Sequence, residues 1–252
     1  MSKFLLLLLV SFTTFLSGKE TRKIVRKIGI NGLKETFYVL KSDTSVKHGA
    51  YILESNGKVV IEGHYQMGVK DSLWIQYNLK GKIRTRGWIK NNRRDSLWEY
   101  NNFLGDLEQR IDFSKKEVLY YQTPFANYPF RIFTRTDTIV SLLERPPLYI
   151  GGTSRFNEFV ADEIRIPLHK PDEIIIGTVY VRFTIDSTGK TSNHHVLKGF
   201  GRVCDAEALR VIKSIPDDYM PGLLNGRFVS VEYIVPVKFD NNISAPVSPY
   251  AF

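Results

Sequence analysis

Apolar and polar residues alternate along much of the first half of the chain, which is the pattern of half-buried β-strands. Odd positions carry aliphatic and aromatic residues, including Val59, Ile61, Leu73, Ile75, Ile83, Ile89, Leu97 and Ile111. Even positions carry most lysines and arginines and all three tryptophans, Trp74, Trp88 and Trp98. Because successive side chains of a strand point to opposite faces, we expect one aliphatic face and one face with tryptophan among lysine and arginine.

The same stretch repeats with a period of 24 residues. Asp71-Ser72-Leu73-Trp74 recurs as Asp95-Ser96-Leu97-Trp98, and Gly57-Lys58 recurs as Gly81-Lys82. Three units follow, at about 47–70, 71–94 and 95–118, of which the last is the least regular. Asn56-Gly57 between two strand-like runs is a strong hairpin signal. Each unit therefore predicts a β-hairpin, and the hairpins are expected to extend one antiparallel sheet.

These spacings resemble the MORN-repeat variant of exported bacterial proteins, in which Gly-Lys-x-x-x-x-Gly hairpins alternate with an x-Leu-Trp strand start. The matching residues are Gly57-Lys58 to Gly63, Gly81-Lys82 to Gly87 and the two Ser-Leu-Trp triplets, within about residues 35–120. The resemblance implies a β-hairpin array that serves as a scaffold or interaction surface and has no chemistry of its own.

Charge divides the chain into two parts. The whole chain carries 35 Lys and Arg against 26 Asp and Glu. Nearly all of the excess lies in residues 19–122, whereas residues 123–252 are balanced, which favours two domains. The basic sheet face has two interpretations. It is either a solvated face, on which basic side chains cover tryptophan rings and protect open edges, or a docking surface for an anionic envelope polymer, lipid headgroup or peptide. Nucleic acid is not expected as a partner of an exported protein.

The amino terminus has the pattern of a signal peptide. Lys3 precedes the uncharged run Phe4–Leu16, and Ser17-Gly18 precedes the charged Lys19. A spanning helix needs about 20 apolar residues, so this run is short for a permanent anchor. We expect residues 1–18 to be a signal peptide and the remaining chain to lie in the periplasm or cell envelope. An uncleaved signal anchor is the alternative.

The second half predicts a small α+β domain with the order helix, hairpin, helix, strand. An amphipathic helix starts at Ser154, strands are expected at Gly177–Asp186 and Thr191–Lys198, and Asp205 is expected to cap a second helix before a final strand at Arg227–Phe239. A connecting segment at 123–146 holds two possible short strands, Arg131–Arg135 and Thr138–Leu143, and is expected to pack against one of the domains. The domains are thus 19–122 and 147–240, with a tail at 241–252.

A series of short motifs in this half occurs in a fixed order. They are Pro147-x-Tyr149-x-Gly151-Gly152, Ile166-Pro167, Gly177-x-Val179-x-Val181-x-Phe183, Asp186-x-x-Gly189, Asp205-x-Glu207-Ala208-Leu209, Pro221-Gly222, Asn225-Gly226 and Tyr233-x-x-Pro236-Val237-x-Phe239. Together they resemble the C-terminal domain of TonB, the energy-transducing protein of Gram-negative envelopes. The fold class expected for the whole chain is therefore mixed: an antiparallel β-hairpin repeat sheet followed by an α-β-β-α-β TonB C-terminal-like domain.

The TonB resemblance also implies a binding mode. In that family the last strand lies near a sheet edge and pairs with the extended TonB-box segment of outer-membrane receptors. The expected partner-binding residues here are Phe228, Val229, Ser230, Val231, Glu232, Tyr233, Ile234 and Val235. Pro236 cannot donate a ladder hydrogen bond, so pairing is expected to weaken there.

Patterns typical of enzymes are weak in this sequence. Gly189-Lys190-Thr191 mimics the end of a phosphate-binding loop but joins two expected strands. Adjacent His194 and His195 point to opposite faces of a strand, and the one cysteine, Cys204, is expected to be buried. We expect no catalytic residue, metal or cofactor. The leading hypothesis is a non-enzymatic envelope protein that binds other proteins. The alternatives are a membrane-anchored TonB-type energy transducer and a basic sheet that binds anionic envelope polymer.

Overall fold

The computed structural model describes residues 19–29, 32–122, 128–134, 136–165 and 175–240. The expected signal peptide at 1–18 and tail at 241–252 lie outside these described residues, as does part of the connecting segment. Two compact units are present. The first comprises described residues up to Trp74 together with Ile89–Arg93, and the second comprises Ile75–Trp88 and the described residues from Arg94 onward.

Nine strands form the first sheet. They are β1 (Thr21–Ile28), β2 (Leu33–Leu40), β3 (Lys47–Ser55), β4 (Lys58–Gln66), β5 (Val69–Tyr77), β6 (Ile83–Lys90), β7 (Arg93–Asn101), β8 (Leu107–Asp112) and β9 (Glu117–Tyr121). Each strand pairs with the next along the chain. Asn56 and Gly57 have φ of 48° and 77°, as a two-residue hairpin turn requires. The predicted hairpin sheet is therefore present.

The expected division of the sheet into an aliphatic face and a tryptophan face is wrong. Trp74 and Trp98 are buried, whereas Leu73 and Leu97 are about 40% and 41% exposed. The backbone is left-handed at Ser72 and Ser96, directly before these residues, and register shifts interrupt β8 and its neighbours. Such irregularities reverse the alternation of side chains along a strand. Trp88, which is not preceded by one, is 51% exposed.

Each buried tryptophan lies in an aromatic cluster of its own unit. In the first unit Trp74 contacts Tyr51 and Tyr65, with ring centroids 5.5 and 5.3 Å apart. In the second unit Trp98 stacks on Tyr100 at 5.9 Å. Aromatic pairs at these separations add to the free energy gained from burial alone.

Two helices and eight further strands follow among the described residues. They are β10 (Phe130–Phe133), β11 (Thr138–Ser141), β12 (Leu148–Tyr149), α1 (Gly152–Glu163), β13 (Ile176–Ile185), β14 (Thr191–Lys198), α2 (Arg202–Ser214), β15 (Tyr219–Met220), β16 (Gly222–Leu224) and β17 (Arg227–Asp240). Their main sheet has the order β11-β10-β17-β13-β14, with β16 also paired to β17, and β12 pairs with β15. The expected helices, hairpin and final strand are present, and β12, β15 and β16 are additions that the pattern did not predict.

The core of this α+β part lies between the sheet and the two helices. As predicted, alternate residues of β13 face one side, and Val179, Val181, Phe183 and Ile185 are buried. α1 contributes Phe156 and Val160, and α2 contributes Ala208 and Ile212. Cys204 is a buried free cysteine, as expected.

The start of α2 differs from the prediction. The helix begins at Arg202, so Asp205 lies within its first turn and is not the N-cap residue. The Asp205 carboxylate instead accepts a hydrogen bond from the backbone N–H of Phe200, at 3.1 Å. An acidic group in a first helical turn is favoured by the helix dipole, which is why the sequence pattern pointed close to the right place.

Two side chains of β8, one carboxylate and one amide, accept hydrogen bonds from the backbone at the amino terminus of α1. Gln109 Oε1 accepts the Gly151 N–H at 2.8 Å, and Glu108 Oε1 accepts the Ser154 N–H at 3.0 Å. Gly151 and Gly152 are left-handed, and a Cβ on Gly152 would come within 2.6 Å of the Glu108 carboxyl carbon. The second unit therefore contains repeat strands as well as the α+β elements.

Candidate protein-binding edge

β17 is the longest strand of the α+β sheet and holds all the expected partner-binding residues. On one side it pairs with β13 from Ile176↔Asp240 to Ile185↔Val231. This pairing is continuous and antiparallel, so β13 fixes one side of β17 completely over that range. An added strand would have to pair with the opposite side.

Part of that opposite side is occupied by the chain itself. β10 pairs with Ser230 and Val231 on the side away from β13. Beyond the end of the β13 pairing, β16 pairs with Arg227, Phe228 and Val229. The outer side of β17 is therefore already paired at Ser230 and Val231. The physical reason is that two short apolar runs, Phe130–Phe133 in the connecting segment and Gly222–Leu224 just before β17, form strands of their own. Among the described residues, no strand is in register with Glu232–Val235 on this side.

The side chains of the eight expected residues divide between the two faces of the sheet. Val231, Tyr233 and Val235 face the core and are buried. Ser230, Glu232 and Ile234 lie on the outer face and are half-buried. Val229 packs at the margin of the core, and Phe228 is 41% exposed. The structure thus brings these residues together as one strand, and their role in binding stays a prediction.

Glu232 is the charged centre of the outer face. Its carboxylate lies 3.2 Å from a guanidinium nitrogen of Arg182 on β13 and 3.6 Å from one of Arg131 on β10. The Arg182 Nε also donates to His195 Nε2 on β14, at 2.7 Å. This row of side chains connects four strands of the sheet, β10, β17, β13 and β14. Opposite charges on neighbouring strands stabilise a sheet.

β10 contributes side chains to both faces of this edge. Ile132 is fully buried beside Val231, with which it is in register. The Phe130 ring lies parallel to the Tyr233 ring, with centroids 6.4 Å apart. The sequence pattern predicted a strand here but could not show which strand it pairs with, so Phe130, Arg131 and Ile132 were missed as parts of the site.

The basic sheet surface contains a groove of about 470 Å³ in the second unit, lined in part by Lys82, Arg86 and Arg110. Both arginines donate to the Glu99 carboxylate, at 2.5 and 2.9 Å from their Nε atoms. Burial would raise the pKa of Glu99, but these hydrogen bonds outweigh it and the pKa is lower than usual. Glu99 therefore stays ionised and neutralises part of the groove.

Among the residues that the structure describes, no three His, Cys, Asp or Glu side chains converge as metal ligands would. His194 stacks on Phe183 with centroids 5.1 Å apart, and burial lowers its pKa. No helix in the described ranges has the length and apolar composition needed to cross a membrane.

Comparison with known families identifies the segment that carries this edge. Residues 173–240 match the family model described as Gram-negative bacterial TonB protein C-terminal. The matched segment includes β13, β14, α2 and β17, and it supports a protein-interaction module of this type in that part of the chain. β10, β11 and α1 lie outside the match. No curated protein and no solved structure matches the chain. The MORN resemblance stays a prediction.

Proposed function

We propose that this chain is a non-enzymatic protein-binding module of the Gram-negative cell envelope. Its TonB-like part binds an extended segment of an outer-membrane receptor or another envelope protein by adding that segment to β17. The repeat sheet serves as a scaffold, and the signal-peptide pattern at residues 1–18 supports export to the periplasm. The family match at residues 173–240 supports a protein partner of this kind.

One observation carries the binding mode. The outer side of β17 already accepts an antiparallel strand, because β10 pairs there at Ile132↔Val231 and Phe133↔Ser230. A segment from another protein that is extended in the same way meets the same backbone N–H and C=O groups. Main-chain hydrogen bonds then supply affinity, and pockets for alternate side chains supply specificity.

The pairing of β17 with β16 supports a shorter binding segment than Phe228–Val235. Phe228 and Val229 are paired with β16, which is joined to β17 by the tight turn at Asn225-Gly226. We therefore place the main contact at Ser230–Val235 and treat Phe228 and Val229 as its boundary. Pro236 marks the other boundary, since it has no N–H to donate.

The test is a binding titration with a synthetic TonB-box peptide from a receptor that is co-expressed with this chain. Ser230→Pro and Glu232→Pro each remove a backbone donor from the proposed edge and are expected to weaken binding at least about tenfold, as loss of a buried backbone hydrogen bond implies. Ser192→Pro on β14, at the other edge of the sheet, is the matched control. Each variant is first checked for its fold by circular dichroism. Unchanged affinity in a folded Ser230→Pro and a folded Glu232→Pro would contradict the proposal.

A further inference from the structure

We infer that the partner strand takes the place of β10 on β17, and that it fits there only with a sequence pattern similar to that of β10. This pattern is an aromatic residue, a cation and an aliphatic residue at the positions of Phe130, Arg131 and Ile132. The inference rests on the proposed function, because it specifies the partner of the same edge. It adds that β10 is an intramolecular competitor.

The position of β10 is the first observation behind this inference. The matched family segment begins at residue 173, so β10 is an addition to it, yet β10 lies in its sheet between β11 and β17. Only two residue pairs hold β10 in register with β17, whereas β13 is in register with β17 from Val231 to Asp240. A second strand cannot pair with Ser230 and Val231 on this side while β10 remains there.

The core side of the edge requires an aliphatic residue. Ile132 has no exposed surface and lies beside Val231, which is equally buried. Departure of β10 would expose this part of the core to water. A partner restores the burial only if it places a side chain of similar size and polarity at the same position, so a polar residue there is disfavoured.

The outer side of the edge requires a cation. Glu232 retains Arg182 on β13 when β10 leaves, but it loses Arg131. The Glu232 side chain is 17% exposed, so it is partly shielded from water and responds to a charge placed beside it. A lysine or arginine of the partner restores the row of charges, whereas an acidic residue meets a carboxylate at close range.

The neighbouring core-side position favours an aromatic residue. The Tyr233 ring is buried under Phe130 and also contacts Phe183, at 5.6 Å. Without Phe130 one face of the Tyr233 ring becomes accessible. A flat partner side chain covers that face with the offset geometry that aromatic rings prefer.

β10 and β11 form a hairpin, which we expect to leave β17 as a unit. β11 pairs with β10 from Phe130↔Ser141 to Phe133↔Thr138, and its outer residues Ile139 and Val140 are 39% and 69% exposed. Few contacts of β11 are therefore lost if the hairpin leaves. Because β10 is tethered, its effective concentration at the edge is on the order of millimolar, and it reduces the apparent affinity of any partner accordingly.

This competition predicts effects of opposite sign. Changes in β17 weaken binding, but changes that loosen β10 strengthen it. The probe is a synthetic peptide with the sequence of residues 128–134, added to the full chain. Ile132→Ala is expected to raise its affinity at least about tenfold over the unaltered chain. Because Ile132 is in the core, its replacement can also impair folding. Arg131→Glu is the second loosening variant, since the Arg131 side chain is 52% exposed and does not contribute to core packing.

A covalent lock tests the competition directly. Phe133→Cys with Ser230→Cys places two thiols on registered residues of β10 and β17. Oxidation should abolish binding of the peptide, and reduction should restore it. Each single cysteine variant is the control, and Cys204 is buried and therefore remains apart from the exchange. Peptides with glutamate for Arg131 or serine for Ile132 are expected to bind at least about tenfold more weakly.

The outcomes separate this inference from the proposed function. If the oxidised variant binds the TonB-box peptide as well as the reduced one does, β10 is not a competitor and the inference is overturned, while the proposed function stands. If the loosened variants bind the 128–134 peptide but no TonB-box peptide, the inference stands and the receptor partner is wrong. If the 128–134 peptide with glutamate at position 131 binds as tightly as the unaltered peptide, the inferred requirement for a cation at this position is overturned.

Discussion

The indole of Trp98 lies against Gly87 so closely that a Cβ on this glycine would overlap the ring. Trp74 lies against Gly63 in the same way, 24 residues earlier. Neither glycine has the left-handed backbone that usually explains a glycine in a turn. The repeated glycine is therefore required for space, and the repeated tryptophan for filling it. In the next repeat both residues are replaced together: Ile111 stands at the position of the glycine and Gln122 at the position of the tryptophan.

We expect Gly87→Ala to destabilise the second unit because the added methyl group displaces a packed ring. Overpacking of this kind costs about 1–3 kcal/mol. The measurement is urea unfolding of Gly87→Ala, Trp98→Ala and the double variant. Since the clash needs the ring, Gly87→Ala is expected to cost little in the Trp98→Ala background. Additive losses in the double variant would show that the two residues do not interact.

The three tryptophans should differ in their contributions to stability. Trp74→Ala and Trp98→Ala are expected to cost about 3–5 kcal/mol each, as truncation of buried aromatic residues does. Trp88 is 51% exposed, so Trp88→Ala should cost about 1 kcal/mol or less. Thermal or urea unfolding of the three variants tests this order. If Trp88→Ala lowers the free energy of unfolding as much as Trp98→Ala does, burial of the ring does not determine the contribution of these tryptophans to stability.

The ion triad on β6, β7 and β8 predicts a dependence of stability on pH. Burial acts to raise the pKa of Glu99, but hydrogen bonds from Arg86 and Arg110 more than compensate, so the pKa in the folded chain is below the ordinary value of 4.5. A carboxylate of this kind stabilises the fold above its unfolded pKa, and the stabilisation is lost as the pH falls through the folded pKa. Between pH 5 and pH 3 the unaltered chain should therefore lose more free energy of unfolding than Glu99→Gln does.

The control for this experiment is Glu117→Gln, at an exposed position on β9. Urea unfolding at several pH values should give parallel curves for Glu117→Gln and the unaltered chain. If the curve of Glu99→Gln is parallel to them as well, the triad does not contribute to acid sensitivity.

Local signals in the sequence predicted most of the strands and both helices. Asn56-Gly57 specifies its turn through backbone preferences of those two residues alone, and the alternation of Val179, Val181 and Phe183 identifies a half-buried strand. The two faces of the repeat sheet were not predictable by parity. A single left-handed residue such as Ser72 reverses the alternation, and serine carries no strong signal for that conformation.

The candidate site was predicted only in part, for a different reason. The strand at Arg227–Asp240 follows from its own residues, but its neighbours depend on contacts between distant segments. Nothing in Phe130–Phe133 alone indicates that it pairs with Ser230 and Val231, about a hundred residues later. Likewise, the support of α1 by Glu108 arises from a different part of the chain and left no local signal.

The measurement that tests the central claim most directly is a titration of the labelled full chain with a TonB-box peptide, followed by amide NMR. We predict that chemical-shift changes concentrate on Ser230–Val235 and also affect Phe130–Phe133, since β10 must leave when the peptide binds. Shifts confined to β1–β9 or to β14 would place the partner elsewhere and contradict strand addition at β17.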